Sequence, residues 1–509
     1  MVFAAKQISR VQVFVVKDKW CQSVMADRIC AFAMHWLGDF MGIMPIDAVE
    51  RLQEGCETLG KMAAKQSITQ WEIVASQAYG TSVDIERGRI ALAAGGGDGG
   101  FGIRIIEDGR YGFAYVGRPE EGGEAISLAL SIARKSPQIK SFHLPSASKG
   151  TSVDGLFDVR VDQLTPDDLL DNADDLISMV AGICPNGVVS GGGVGASIYA
   201  SALLTSEGIE SAGTQSSHSM GIQVTIDEDD LLTSGWEGKG GHHLITSYDD
   251  FVEETVEWAS ETRKFTENVG PTSEKEVVMT TGAISGLFGT IIPQATLGDR
   301  QARGESFWTG KIDSMVMEEH LSLVDDRCLE YGANSSSRDG EGLPSQKNVL
   351  ISNGILKGAL WSTRDAAEQV SLGNIESAQS TASANRDGHQ EPPYPGRSNL
   401  LLTSSKNTLT RDEMVESIAD GYLIGSVMGA HTANPTSGDF SVTSSQILRI
   451  VDGEIIGALK QAGISGNLSN TLTSGVALGK LPLLQNGWSG GSIYVPDVRL
   501  SQGIRVNPA

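Results

Sequence analysis

The residues best able to do chemistry here are eight histidines, five cysteines and a surplus of acids, and their spacing excludes more than it offers. A zinc-hydrolase helix needs two histidines on one face and a glutamate to activate the bound water. Neither HExxH nor HExxxH occurs among His35, His143, His218, His242, His243, His320, His389 and His431. The adjacent His242 and His243 diverge on a helix and point to opposite faces of a strand, so the pair reads as surface loop. The cysteines, Cys21, Cys30, Cys56, Cys184 and Cys328, include no CxxC. That spacing suggests neither a cysteine zinc site nor a disulfide frame, and it suits a reducing compartment.

Two glycine motifs fare no better. Gly95, Gly97 and Gly100 match G-x-G-x-x-G, but a dinucleotide fingerprint must open a helix whose N-terminus faces the pyrophosphate. Phe101 to Ile106 read instead as a strand, which makes the motif a hairpin loop. Gly487, Ser489 and Gly491 match the nucleophile elbow, whose histidine follows its serine in the chain. The last histidine is His431, so this stretch reads as a glycine-rich loop.

The elements that would position a site must come from a large protein. At 509 residues the chain calls for two or more domains, since one core rarely grows beyond about 250 to 300 residues. Its 61 glycines against 16 prolines favour strands joined by tight turns. The net charge of −24 is spread along the chain and no basic stripe is present, which argues against a nucleic-acid partner. No run approaches the roughly 18 to 20 apolar residues of a spanning helix, so no membrane partner is expected and the cytoplasm is the expected location.

Residues 1–45 read as an N-terminal extension, with Met41 or Met44 as a natural start of the folded chain. Val49, Leu52, Cys56 and Leu59 then recur at helical spacing. Short strands follow at 72–78, 81–86, 89–94 and 102–106, with Asp108-Gly109 as a hairpin turn before 111–116. Helices are expected near 124–135 and 166–183, the second with Thr165 as N-cap, Pro166 at its first position and Leu169, Ala173, Leu176, Ile177 and Val180 buried. Strands at 195–204 and 220–226 and a helical face of Phe251, Thr255, Trp258, Thr262 and Phe265 complete an N-terminal domain over 46–265. A polar linker over 266–276 leads to a β-rich domain over 277–509, with hairpins at Asn353-Gly354 and Asp452-Gly453 and a helix over 411–419. That helix opens on a Thr410/Glu413 capping box and stops at Gly421. The fold class is α+β: an N-terminal domain of antiparallel sheet and helices, then a β-rich C-terminal domain.

The second domain also carries blocks in a telling order: Asp299-Arg300-Gln301, Gly304-Glu305-Ser306-Phe307, Val324-Asp325-Asp326, Arg338-Asp339-Gly340-Glu341-Gly342, Asn353-Gly354-Ile355-Leu356, Ser437-Gly438-Asp439-Phe440-Ser441 and Gly463-Ile464-Ser465-Gly466-Asn467-Leu468. With Gly102-Ile103-Arg104 and Asp108-Gly109-Arg110-Tyr111-Gly112-Phe113 they span roughly 47–509 and resemble the PmbA (TldE) branch of the TldD/PmbA metallopeptidase family. The resemblance implies, for the zinc-bearing TldD branch, an HExxxH helix followed much later by a cysteine ligand. Anchored on Gly298-Asp299, the two histidine positions fall here on Gly289 and Gln294, the glutamate on Thr290 and the cysteine near Ser437. None of these suits zinc or activates water. The implied role is a zinc-less subunit that binds no cofactor itself and forms a heterodimer with a TldD-like subunit, which carries the zinc and cuts unfolded or modified peptides. Asp339, Glu341, Ser437, Asp439 and Phe440 are the candidates to face peptide or partner, although acids alternating with glycines also cap turns. Two alternatives stand beside it: a self-sufficient hydrolase with His320, His389 and His431 converging on a metal, and a structural homodimer without peptidase activity.

Overall fold

The computed structural model describes residues 13–15, 46–480, 486–487 and 491–509. Its N-terminal part is built on a seven-stranded antiparallel sheet: β1 (Val13–Val15), β2 (Gln70–Glu86), β3 (Arg89–Glu107), β4 (Arg110–Val116), β5 (Gly187–Thr205), β6 (Glu210–Glu228) and β7 (Leu231–Gly241). The order is β1-β3-β2-β5-β6-β7, with β4 also on β3. The short strands expected from sequence are therefore segments of much longer ones. Gly95 to Gly100, read as a hairpin loop, lie inside β3 and pair with Thr81 to Ser76 of β2. Of the expected extension, Val13–Val15 pair with Gly95–Ala93, while the rest of 1–45 lies outside the described residues.

Alternation along these strands sorts their side chains by face. Ile73, Ala75, Val83 and Ile85 of β2 and Val194, Ala196, Ile198, Ala200 and Ala202 of β5 point to one face and are buried. Helices α1 (Ile46–Lys65) and α2 (Gly122–Lys135) cover one end of it, and α3 (Pro166–Ile183) and α4 (Asp249–Glu261) the other. In α3 the expected N-cap is present: Thr165 accepts from the Asp168 amide, and the Asp168 carboxylate accepts from the Thr165 amide at 2.8 Å. Phe265 falls beyond the end of α4 and is partly exposed.

The opposite face of the sheet is packed by the C-terminal part. There β8 (Ser273–Glu274) pairs with Arg505 and Val506, so the second half of the expected linker belongs to a sheet. β9 (Glu276–Met279) lies in a six-stranded sheet with 420–424, 447–451, 454–458, 476–478 and 498–500. A second six-stranded sheet contains 321–326, 347–352 and 399–404. Between them runs α5 (Thr281–Thr296), whose Ile284, Leu287, Phe288, Ile291 and Ile292 are fully buried in the largest core cluster. The helix expected over 411–419 keeps its capping box but ends at Glu416. Gly421 is not a helix stop: it sits in the strand 420–424, where a Cβ would meet the Glu276 carbonyl at 2.3 Å.

The three dipeptide turns behave as their residues require. Asp108-Gly109, Asn353-Gly354 and Asp452-Gly453 all have positive φ at both positions, the type I′ geometry that matches strand twist. No described helix is long and apolar enough to cross a membrane.

Candidate functional site

A groove of about 790 Å³ opens between α5 and the glycine-rich stretches of β5, β6 and β7. Gly282, Ser285, Gly286, Gly289 and Thr290 wall one side of it. Their spacing places them on one face of α5, turned away from its large buried residues. Across from them stand Gly192, Gly193 and Gly195 of β5, Gly221 of β6 and Gly238 and Gly240 of β7. Where side chains would fill the gap, the groove presents backbone. Gly192 cannot be replaced cheaply, since its φ is +134° and a Cβ would meet the Gly221 carbonyl at 2.2 Å.

Few charges line this space. Asp84 of β2, Glu237 and Lys239 of β7, and His431 are the ionisable side chains. Lys239 is ion-paired with Asp250. Behind Glu237, Arg411 binds Asp497 at 2.7 Å and Glu254 at 3.0 Å, and Asp497 also accepts from the Thr281 amide at the start of α5. Glu237 is thus a third acid around one guanidinium. Burial first, then the neighbouring Glu254 and Asp497 carboxylates against the opposing pull of Arg411, pushes its carboxyl up to about 8.

Of the four positions singled out as degenerate ligands, Gly289 and Thr290 line the groove; Gln294 and Ser437 are not among its lining residues. Thr290 donates its hydroxyl to the Gly286 carbonyl at 2.9 Å, and Ser437 donates to Asp439 at 2.6 Å. A glycine, two hydroxyls already engaged and an amide make a poor donor set for zinc. Among the described residues no group of three or more His, Cys, Asp or Glu stands close enough to share a metal ion. His320, His389 and His431 do not converge. His320 is held by Ser404 and the Val476 carbonyl, His389 by Ser76 of β2, and only His431 lines the groove.

Three candidate peptide-facing residues are corrected by their burial. Glu341 is 1% exposed and accepts from Arg104 at 3.3 Å and from the Thr363 amide at 2.6 Å. Phe440 is 5% exposed within the C-terminal core, because inward positions alternate along its strand, Asp439–Ser444. Asp339 is also buried, its carboxylate accepting from the amides of Glu341, Leu343 and Ala384, the turn-capping arrangement. Asp439 is exposed and takes hydrogen bonds from Ser437 and Asn467. His242, read as surface loop, is 7% exposed and meets the Ser216 carbonyl through Nδ1 at 2.7 Å. Of the Gly487, Ser489 and Gly491 motif, Ser489 lies outside the described residues, while Gly487 and Gly491 pair across an antiparallel turn.

Glu341 belongs to a buried ion network that ties the two parts together. Glu72 and Arg104, cross-strand partners on β2 and β3, pair at 2.6 Å; Arg104 continues to Glu341, and Arg386 closes on Glu72. Burial alone would raise the Glu72 carboxyl, yet Arg104 and Arg386 together hold it below the ordinary range. Sequence reading missed both this network and Glu237. The glycine runs at 191–195 and 238–241 were the available signal for the groove.

Residues 272–504 match the model of the PmbA/TldA metallopeptidase C-terminal domain, and residues 71–136 match that of the PmbA/TldA metallopeptidase domain 1. The chain belongs to the PmbA/TldD family. An uncharacterised protein of Methanocaldococcus jannaschii is 28% identical over 83% of this chain and 94% of its own length. A Methanothermobacter thermautotrophicus protein called a metalloprotease is 26% identical over 84% and 92%. The crystal structure of TldE from Thermococcus kodakarensis shares the fold, with a TM-score of 0.78 and 24% identity over 89% of this chain and all of that one. The α5 wall of the groove thus lies within the matched C-terminal domain, while the glycines of β5, β6 and β7 facing it lie between the two matched spans.

Proposed function

We propose that this chain is a non-catalytic, TldE-like subunit of a PmbA/TldD-type metallopeptidase, which holds an unfolded or modified peptide while a zinc-bearing, TldD-like partner cuts it in the cytoplasm. The observation that carries this reading is the groove face of α5. A helix that in the zinc-bearing branch would present ligands instead presents Gly289 and Thr290, with no atom suited to metal or to activating water. The groove keeps room for a chain beside β7, the edge strand of the sheet, and a strand edge favours addition of extended peptide with little sequence preference.

The test is reconstitution. The purified chain is analysed for bound zinc after dialysis, and cleavage of a denatured protein is followed with the chain alone, with a TldD-like protein alone and with the two mixed. Activity is expected only when the TldD-like protein is present, with a marked rise on mixing and co-elution of the two as one species. Stoichiometric zinc on the isolated chain with unaided cleavage would overturn the reading. A self-associated chain that changes nothing on mixing would replace it with the structural homodimer.

A further inference from the structure

A second opening, of about 610 Å³, lies on the same sheet face as the groove but nearer the ion network. Its floor is a polar stripe in which odd positions of paired strands meet: Ser197 opposite Ser217 and Tyr199 opposite Gln215. Its roof is the loop 333–340 with Asn385, Arg386 and Asp387. Three arginines line it. Arg386 is engaged by Glu72. Arg338 reaches only backbone carbonyls, those of Gly342 and Ser148. Arg327 is 6% exposed, gives one terminal nitrogen to Asn385 at 2.7 Å, and leaves its Nε–H without a protein partner.

A buried guanidinium N–H without an acceptor is a standing deficit that a ligand oxygen would correct. The acids nearby do not accept from that N–H: Asp339 spends both carboxylate oxygens on backbone amides, the buried Asp325 offsets the Arg327 charge without a hydrogen bond to its Nε, and Asp387 at the rim is bonded by Tyr394. Guanidinium edges match a carboxylate's two oxygens, and the hydroxyl and amide floor suits a ligand body rich in hydrogen-bonding groups. The volume falls within the range of about 300 to 1,000 Å³ typical of small-ligand sites.

We propose that this cavity is a second binding site, for a small carboxylate-bearing ligand such as the C-terminal end of a short peptide, held by Arg327 and Arg338 and by the side chains of β5 and β6. The assignment stands whether or not the groove takes peptide. The experiment is calorimetric titration of the full chain near neutral pH with N-acetyl-trialanine, its C-terminal amide and inorganic phosphate, with hydrogen exchange to locate the bound peptide. The free carboxylate is expected to bind at least about tenfold more tightly than the amide, with phosphate weaker still and protection centred on residues 333–340. Arg327→Gln is expected to abolish the preference; Arg338→Gln, at a less buried position, weakens it about fivefold and keeps the test valid should the first variant fail to fold. Equal binding of acid and amide, phosphate binding in place of the peptide, unchanged affinity in a folded Arg338→Gln protein, or protection confined to 282–290 would each overturn the proposal.

Discussion

One sheet face carries two regions built on opposite terms. Near Glu72 it is crowded with charges that satisfy one another, Glu72, Arg104, Glu341 and Arg386, under the cover of the C-terminal part. Twelve positions further along β2, about 40 Å at strand spacing, the face near Asp84 is stripped to glycine and the same cover lifts into a groove. Where the parts adhere, each charge of the network is paired with an opposite one. Where they part, atoms are missing rather than mismatched.

The sharpest way to break the first region is to leave one charge alone. Arg104→Met leaves the buried Glu341 carboxylate without its ion-pair partner and Glu72 with Arg386 alone, and is expected to cost about 3 to 5 kcal/mol in urea unfolding, a loss no single groove substitution on α5 should equal. The second effect sits in the groove. The Glu237 carboxyl ordinarily titrates near 4.5 and is held up to about 8, so the folded state retains a proton that the unfolded chain has lost. Stability therefore falls as pH rises between those values and stays lowered above them. Glu237→Gln removes that cost and is expected to raise stability at pH 9 by on the order of 2 kcal/mol, with no gain at pH 4, as read from thermal unfolding at the two pH values. The smallest effect sharpens the contrast. Gly286→Ala on the groove face of α5 meets only Val427 at 3.5 Å and Ala430 at 3.9 Å. It should leave folding unharmed or add up to about 1 kcal/mol through helix propensity in denaturant melts.

The same contrast explains what could be read in advance. Turns and caps were legible because their chemistry is local: positive φ at Asp108-Gly109, a hydroxyl and a carboxylate at Thr165 and Asp168. Of the helix face expected from periodicity alone, Leu169, Ala173, Leu176 and Val180 are buried, while Ile177 at its margin is half-buried. Strand lengths were not legible, because the glycines that clear the sheet face also erase the β-branched pattern by which strands are recognised, as in Gly95 to Gly100 and throughout β7. Glu341 and His242 were misplaced for another reason. Both are polar, and both are buried by chain far away in sequence, Arg104 in one case and the Ser216 carbonyl in the other. Phe440 could have been placed from the alternation of Phe440 and Val442 with Asp439 and Ser441, which is that of a strand with one buried face.

The pairing of β9 has a bearing on how the protein is made. Val277, Val278 and Met279 are fully buried, yet their strand neighbours are Tyr422 to Ile424 on one side and Val498 to Leu500 on the other. During synthesis this apolar strand leaves the ribosome well over a hundred residues before its first neighbour and over two hundred before its second. The C-terminal half therefore cannot close until residues 498–500 have been made, and in the interval the strand is an exposed apolar segment on which the nascent chain is prone to premature association.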